Sequence, residues 1–402
     1  MSHQRGERHT EATYIVDNGR IITPNAVVEG AILLEGNRIV DVIEGDPEHD
    51  DTHPAGVETV ERVDAGGRFV LPGLVDLHGD DIESHLHPRS GARMDTHMAL
   101  AASDRENLAA GITTKFHAIS FEVNPDENRS PELGAEITDA VEHADDLLAD
   151  HRIHARCEVT QQRCVDAITE ILEVGNADLV SVMSHVPGKG QFRDRKAFLE
   201  YYRDSRNHSV EEAERIIEER GSLELDTIRE RIDHVVETAH NHGIPTASHD
   251  DEEPEEVDRF VEVGVDISEY PITIETARRA TEVGMTVTMG APNLVRGGSQ
   301  WGNLRTADAI EAGVVDALVA DYHPISLLAA AFVDTGEPLY DRVKRVSAAP
   351  ADAVGFSDRG RIEPGKRGDL VIVDPEPTPT VTAAFVGGQP VYRAEATKEA
   401  DR

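Results

Sequence analysis

Eight short apolar runs, each separated from the next by a longer, charged, helix-periodic segment, narrow this chain to very few folds. The first lies in Leu71-Pro72-Gly73-Leu74-Val75-Asp76-Leu77-His78-Gly79-Asp80-Asp81. The others cover residues 112–119, 153–159, 179–185, 244–249, 266–270, 286–290 and 315–321. Apolar runs of strand length that alternate with amphipathic helices make parallel strands with helical crossovers, and eight of them close into a (β/α)8 barrel. Between the runs, residues 209–220 and 225–242 read as helices. Residues 186–243 are too long for one crossover and add a helical element near the barrel mouth.

The flanks have a different texture. Residues 14–43 alternate apolar and polar around Asn18-Gly19 and Gly36-Asn37, a meander of short strands with turns at those pairs. Residues 44–61 form an exposed loop, and a strand over 63–70 leads into the first barrel run. β texture returns at 361–373, a strand pair around Pro364-Gly365, and at 381–386 and 390–392. The expectation is an α/β chain: a small β-sandwich domain built from both termini (residues 1–71 and 356–402) beside a barrel over 72–355. A C-terminal sheet that pairs two copies into a homo-oligomer is the competing arrangement.

With 77 Asp plus Glu against 39 Lys plus Arg, the net charge is -38, and six of the cations are lysines. Such a surface excludes bare nucleic acid and anionic membranes as partners. Hydrophobic residues make up 39% and are spread along the chain, which excludes disorder. A folded cytoplasmic protein of a salt-loving organism fits the charge, because salt screens the self-repulsion. Cys157 and Cys164 supply neither a disulfide framework nor a cysteine-rich zinc site. The first 13 residues are polar, resembling neither leader nor anchor, and no apolar run approaches the ~18 residues of a membrane span.

Several runs end on residues that bind metals. Residues two apart on an extended strand share a side, so His78 and Asp80 approach one ion together. Glu158, His185, His249 and Asp321 close four further runs and would stand at the same mouth. Histidines with carboxylates suit one or two divalent ions, zinc or alternatively manganese, and a shared carboxylate can bridge two. Of 19 histidines, most of the others fall in polar segments as surface residues.

Cations supply a second pattern. Lys115 lies in Gly111-Ile112-Thr113-Thr114-Lys115-Phe116-His117, and Lys189 in Pro187-Gly188-Lys189-Gly190-Gln191. Arg296-Gly297-Gly298-Ser299 offers a cation and glycine N–H groups of the kind that cradle phosphates, and Arg89 and Arg93 follow the first run. On so acidic a chain, these mark a local pocket for a polyanion.

Pro72-Gly73-Leu74-Val75-Asp76-Leu77-His78, the later histidines, Asp321 and the Pro364-to-Val371 close resemble the amidohydrolase superfamily. Within it, several further segments resemble the α-D-ribose 1-methylphosphonate 5-triphosphate diphosphatases of the carbon–phosphorus lyase pathway. They are His78-Gly79-Asp80 with Glu83, His85, Pro88 and Arg89, then Ser248-His249-Asp250-Asp251, Asp321-Tyr322, and Met289-Gly290-Ala291-Pro292-Asn293-Leu294-Val295-Arg296-Gly297-Gly298-Ser299. That resemblance implies hydrolysis of a polyphosphorylated ribose phosphonate to the 5-phosphate and pyrophosphate. His78, Asp80, Glu158, His185, His249 and Asp321 would hold the metal, with Asp321 also as proton acceptor. Arg89, Lys115, Lys189, Gln191, Asn293, Arg296, Gly297, Gly298 and Ser299 would bind substrate. Glu158 would replace the bridging carboxylated lysine of the superfamily. Ser84 stands where a lysine is expected and His117 where an acid is, with Lys115 as the compensating cation. The rival readings are hydrolysis of a C–N bond on the same barrel, and a non-catalytic scaffold.

Overall fold

A computed structural model describes residues 13–45, 60–184, 223–299 and 302–394. His185, Lys189, Gln191 and the helix expected over 209–220 lie outside the described residues.

The eight apolar runs become eight parallel strands in sequence order: β6 (Leu74–Gly79), β7 (Ile112–Phe121), β8 (Asp150–Glu158), β9 (Leu179–Met183), β10 (Thr246–His249), β11 (Ile267–Glu269), β12 (Thr286–Gly290) and β13 (Ala317–Val319). Their neighbours are amphipathic helices. In Gln162–Val174, for example, Cys164, Val165, Ile168, Ile171 and Leu172 are buried along one stripe, and left-handed Gly175 ends the helix. Helix starts are capped as their sequences dictate. Asp95, Ser130 and Thr273 accept the N–H of Met98, Leu133 and Thr276.

Both faces of each barrel strand are covered, so the pattern must be read by parity. On β8, Ile153, Ala155 and Cys157 join the outer core beneath the helices, while His154 and Arg156 reach groups at the lumen. Val75, Leu77, Phe116, Leu179, Ala247, Ile267 and Val319 fill the lumen from six of the eight strands.

The seam between β6 and β13 is bonded at its upper end. The Asp321 N–H donates to His78 O and the Asp80 N–H to Asp321 O, each at 2.8 Å. Just below, the Asp76 carboxylate takes the place of a strand acceptor and receives the Ala320 N–H at 2.9 Å. Lower still, the Val75 and Leu318 N–H groups bond instead to Val346 O and Arg345 O, which wedge the seam.

The remaining strands form one sheet from both ends of the chain. β1 (Thr13–Ile22), β2 (Val27–Glu35), β3 (Arg38–Glu44), β4 (Val60–Asp64) and β5 (Phe69–Pro72) pair with β14 (Leu370–Asp374), β15 (Thr380–Val386) and β16 (Gln389–Arg393), in the order β16-β15-β14-β5-β1-β2-β3 with β4 beside β1. The Asn18-Gly19 pair differs from expectation. β1 runs straight through it with a register shift, Asn18 taking a φ of 53°. It is a bulge, tightened because a Cβ on Gly19 would lie 2.6 Å from Val70. Gly36-Asn37 is the expected hairpin turn. The strand pair expected around Pro364-Gly365 is also absent: residues 364–368 cross to β3, where Ile39 N–H donates to Lys366 O and Gly365 N–H to Ile39 O. Those bonds roll the sheet back on itself.

Candidate active site

At the C-terminal end of β6 the chain bulges, the register shifting between Asp76 and Gly79. Leu77 then fills the lumen and His78 turns into the cleft at the barrel mouth. Gly79 must lack a side chain, because a Cβ there would meet Lys115 Nζ at 1.8 Å. The chain next sends Asp80 inward and Asp81 outward.

Three donors converge at the mouth. Glu269 closes β11, with His78 Nδ1 3.1 Å from Oε1 and His249 Nδ1 3.4 Å from Oε2. Their ligand atoms all lie within 4.8 Å of one another. Tyr270 stands edge-on to both imidazoles, with centroids 5.3 Å apart in each case. Burial holds both histidines neutral, His78 well below the usual imidazole range and His249 at about 4, so each keeps a lone pair for an ion. This donor set suits a divalent metal.

Three non-glycine residues at the mouth have left-handed backbones: Asp250 (φ 58°), Tyr270 (φ 55°) and Asp321 (φ 56°). Each follows the end of a barrel strand, and each N–H still reaches across to its neighbour, to Glu269 O, Thr288 O and His78 O. The chain thereby peels away without losing a ladder bond. For a tyrosine this conformation is strained, and such strain gathers at functional sites.

The carboxylates at the mouth differ in protonation. Burial pushes the Asp80 carboxyl up, but the guanidiniums of Arg156 (3.2 Å) and Arg129 (3.7 Å) more than offset it and hold it low. At Asp321 burial, aided by Asp80, outweighs the Arg156 charge and lifts the carboxyl to about 7. Arg129 also spans Glu83 at 2.7 Å and Glu127 at 2.7 Å. Arg296, on the opposite rim, donates to the Tyr322 hydroxyl at 2.9 Å.

The same cleft is lined by His78, Asp80, His249, Asn293, Arg296, Ser299 and Asp321 among the expected residues. Glu158 is buried at the end of β8, accepting the Thr160 N–H at 3.2 Å and hydroxyl at 2.5 Å. Asn293 lines the wall with its amide clipped to Leu304 O and the Thr306 N–H.

Other expectations need correction. Lys115 does not face substrate. It lies on the outer side of the barrel wall, fully buried, paired with Asp81 and with Asp76 (3.5 Å) and donating to Asn107 Oδ1 at 3.1 Å. Gly297 and Gly298 do not offer free N–H groups, since these cap the preceding helix by donating to Leu294 O and Asn293 O. Arg89 is exposed in the loop after β6 and stands outside the cleft. His117 Nε2 is 2.8 Å from His151 Nδ1 in a buried pair on that same outer wall.

Glu269, Arg129, Arg156 and Tyr270 carry no mark in the sequence pattern above. Glu269 is within reach of it, because it closes an apolar run in the same way as Glu158 and Asp321. Arg156 is legible by parity, two residues before Glu158.

Comparison with known proteins agrees with this architecture. The amidohydrolase family pattern matches residues 219–392. Over 366 residues, 89% of this chain and 94% of the other, the chain is 31% identical to the alpha-D-ribose 1-methylphosphonate 5-triphosphate diphosphatase of Escherichia coli K12. The chain belongs to the amidohydrolase family. Among solved structures, dihydropyrimidinase from Brevibacillus agri NCHU1002 superposes with a TM-score of 0.62 at 12% identity, over 95% of each chain. N-isopropylammelide isopropylaminohydrolase from Burkholderia multivorans gives 0.61 at 17% identity, over 95% of this chain and 98% of that one. At such identities these two speak to the fold alone.

Proposed function

We propose that the protein hydrolyses α-D-ribose 1-methylphosphonate 5-triphosphate to the 5-phosphate and pyrophosphate. The carrying observation is that a chain of net charge -38 turns Arg129, Arg156 and Arg296 into the cleft that holds its metal-type donors. A neutral cyclic amide has no use for three guanidiniums, whereas a triphosphate does. The E. coli relative acts, by its name, on this substrate.

His78, His249 and Glu269 are the proposed ligands of a zinc or manganese ion, with Asp80 and Asp321 adjoining. Such an ion supplies Lewis acidity, bringing water towards deprotonation at neutral pH and polarising a phosphoryl oxygen. Asp321, poised near neutrality, accepts the proton of the attacking water. The new bond joins that water's oxygen to phosphorus, and the bridge between the first and second phosphorus atoms breaks. Pyrophosphate departs with the electron pair, its charge held by the guanidiniums. Tyr270 keeps bulk water from the imidazoles.

The test is phosphorus NMR of the products in high salt with added Zn²⁺ or Mn²⁺. Pyrophosphate with a phosphonate 5-monophosphate is the expected result. Untouched triphosphate, alongside turnover of a cyclic amide, would replace this reading with the C–N hydrolase one that the structural neighbours represent.

A further inference from the structure

We infer that the guanidiniums of the cleft divide between the two anionic ends of the substrate. Arg129 and Arg156 take the triphosphate, and Arg296, set by the Tyr322 hydroxyl, takes the methylphosphonate group on C1 of the ribose. Arg296 is then the residue that separates this substrate from triphosphates carrying a neutral group at that carbon. The assignment rests on the hydrolysis of the ribose phosphonate triphosphate proposed above.

The cations differ in depth and in what already neutralises them. Arg156 is 7% exposed and lies 3.2 Å from Asp80. Arg129 spans Glu83 and Glu127 and faces Asp80 at 3.7 Å. Both stand beside Asp80, two residues from His78, where the bond must break. Arg296 is exposed, on the last turn of the helix Ala291–Arg296. Its Nη1 donates to the hydroxyl of Tyr322, itself 47% exposed, at 2.9 Å. Among the described residues no carboxylate pairs with Arg296. On a chain of net charge -38 that is a telling exception. A phenol orients the guanidinium without neutralising it, so a full positive charge faces the entrance of the cleft.

The connectivity of the substrate demands the same order. Its reacting phosphorus is joined through O5′ to the sugar. With the departing pyrophosphate at Arg129 and Arg156, and that phosphorus beside Asp321, the ribose points away from the buried pair. Its C1 substituent then lies towards the opposite rim, where Asn293, Arg296, Ser299 and Tyr322 line the wall. Tyr322 directly follows Asp321, so the anchor of Arg296 sits one residue from the reacting centre. A methylphosphonate ester has two unesterified oxygens sharing one negative charge, and a guanidinium fork donates to such a pair side by side. Water screens an exposed cation too well for it to stabilise much leaving charge. It still favours an anion over a neutral group at one position, which is what discrimination requires.

The test is steady-state kinetics of the full chain and of Arg296→Gln with two compounds. One is α-D-ribose 1-methylphosphonate 5-triphosphate. The other is ribose 5-triphosphate, which keeps the triphosphate but has a hydroxyl on C1, read as a competing inhibitor. The variant should raise KM for the first about 10- to 100-fold, the loss of one charge-assisted contact, and leave the inhibition constant of the second unchanged. A parallel rise in both would place Arg296 on the triphosphate and overturn the inference, as would an unchanged KM. Arg156→Gln should weaken both compounds alike; a loss confined to the phosphonate there would exchange the two roles and overturn it too. A wild type that releases no pyrophosphate from the first compound removes the proposed reaction itself, and the assignment of Arg296 with it.

Discussion

The end of β6 distributes its carboxylates to two sides of one barrel wall, and the two sides behave differently. Outside, Asp76 and Asp81 enclose Lys115 together with Asn107 and Ser103, in a polar layer sealed beneath the helix Thr96–Ala109. Inside, Asp80 meets Arg156 and Arg129 on a surface that lines the cleft. Burial raises every one of these carboxyls, and the balance against neighbouring cations differs: at Asp76 burial outweighs Lys115, whereas at Asp80 the two arginines prevail. The Lys115 ammonium holds Asp81 well below the ordinary range, whereas at Asp321 burial and Asp80 outweigh the Arg156 charge, and Asp321 and Asp251 both rise to about 7. An enclosed pair serves stability; one open to the cleft is free to serve chemistry.

The largest expected effect breaks the inner side. Asp321→Asn removes the proposed proton acceptor and should lower kcat about 10²–10⁴-fold, with a thermal transition at neutral pH no lower than the wild type's, since burial disfavours the ionised carboxylate there; steady-state kinetics beside a melting curve checks both halves. Next comes the outer side. Lys115→Met strands two buried carboxylates and should cost about 3–5 kcal/mol of stability, measured by denaturant titration. Any folded fraction should retain its KM, and a selective loss of KM would return Lys115 to the substrate site.

Asp251 sharpens the contrast further. Its Oδ2 accepts the Ser248 and Ser268 hydroxyls, at 2.6 Å for Ser248, and burial raises its pKa from 3.8 to about 7. The unfolded chain therefore releases this proton near pH 4 and the folded chain near 7. Stability from this group is full below about pH 4, declines as pH rises to about 7 and is flat beyond. Asp251→Asn lacks that decline. Its stability should gain on the wild type by a few kcal/mol between about pH 4 and 7.5, at about 1.4 kcal/mol for each pH unit that separates the folded and unfolded titrations. Parallel unfolding curves at the two pH values would contradict it. The smallest effect is expected at Arg89, outside the cleft: Arg89→Ala should change stability by less than about 0.5 kcal/mol and leave kcat/KM unaltered.

The barrel is legible because its strands are short, apolar and separated by amphipathic helices, a pattern that survives boundary errors. Which face a residue occupies is harder to read. β7 is buried along its whole length, so alternation, the usual guide to inside and outside, is missing there, and Lys115 falls on the side opposite to expectation. The bulge at β6 compounds this by flipping parity between Asp76 and Gly79. Gly297-Gly298 resembles an anion cradle because composition cannot distinguish a phosphate loop from a helix cap. Asp80, His249 and Asp321 reach the cleft as expected because strand ends face the mouth whatever the register. The partners of Asp80, in contrast, come from β8 and the loop at Arg129, and nothing local to residue 80 names them.

The seam between β6 and β13 bears on how the molecule comes into being. Its bonds join His78 and Asp80 to Asp321, and Asp76 to Ala320, across 244 positions in the last case. Contacts so distant in sequence close late, after the chain entropy of everything between has been lost. A chain that has not yet closed this seam lacks the Asp321 carboxylate at the mouth as well as the barrel's last ladder bonds. Closure of the barrel and completion of the proposed site therefore coincide, when the eighth strand docks against the first.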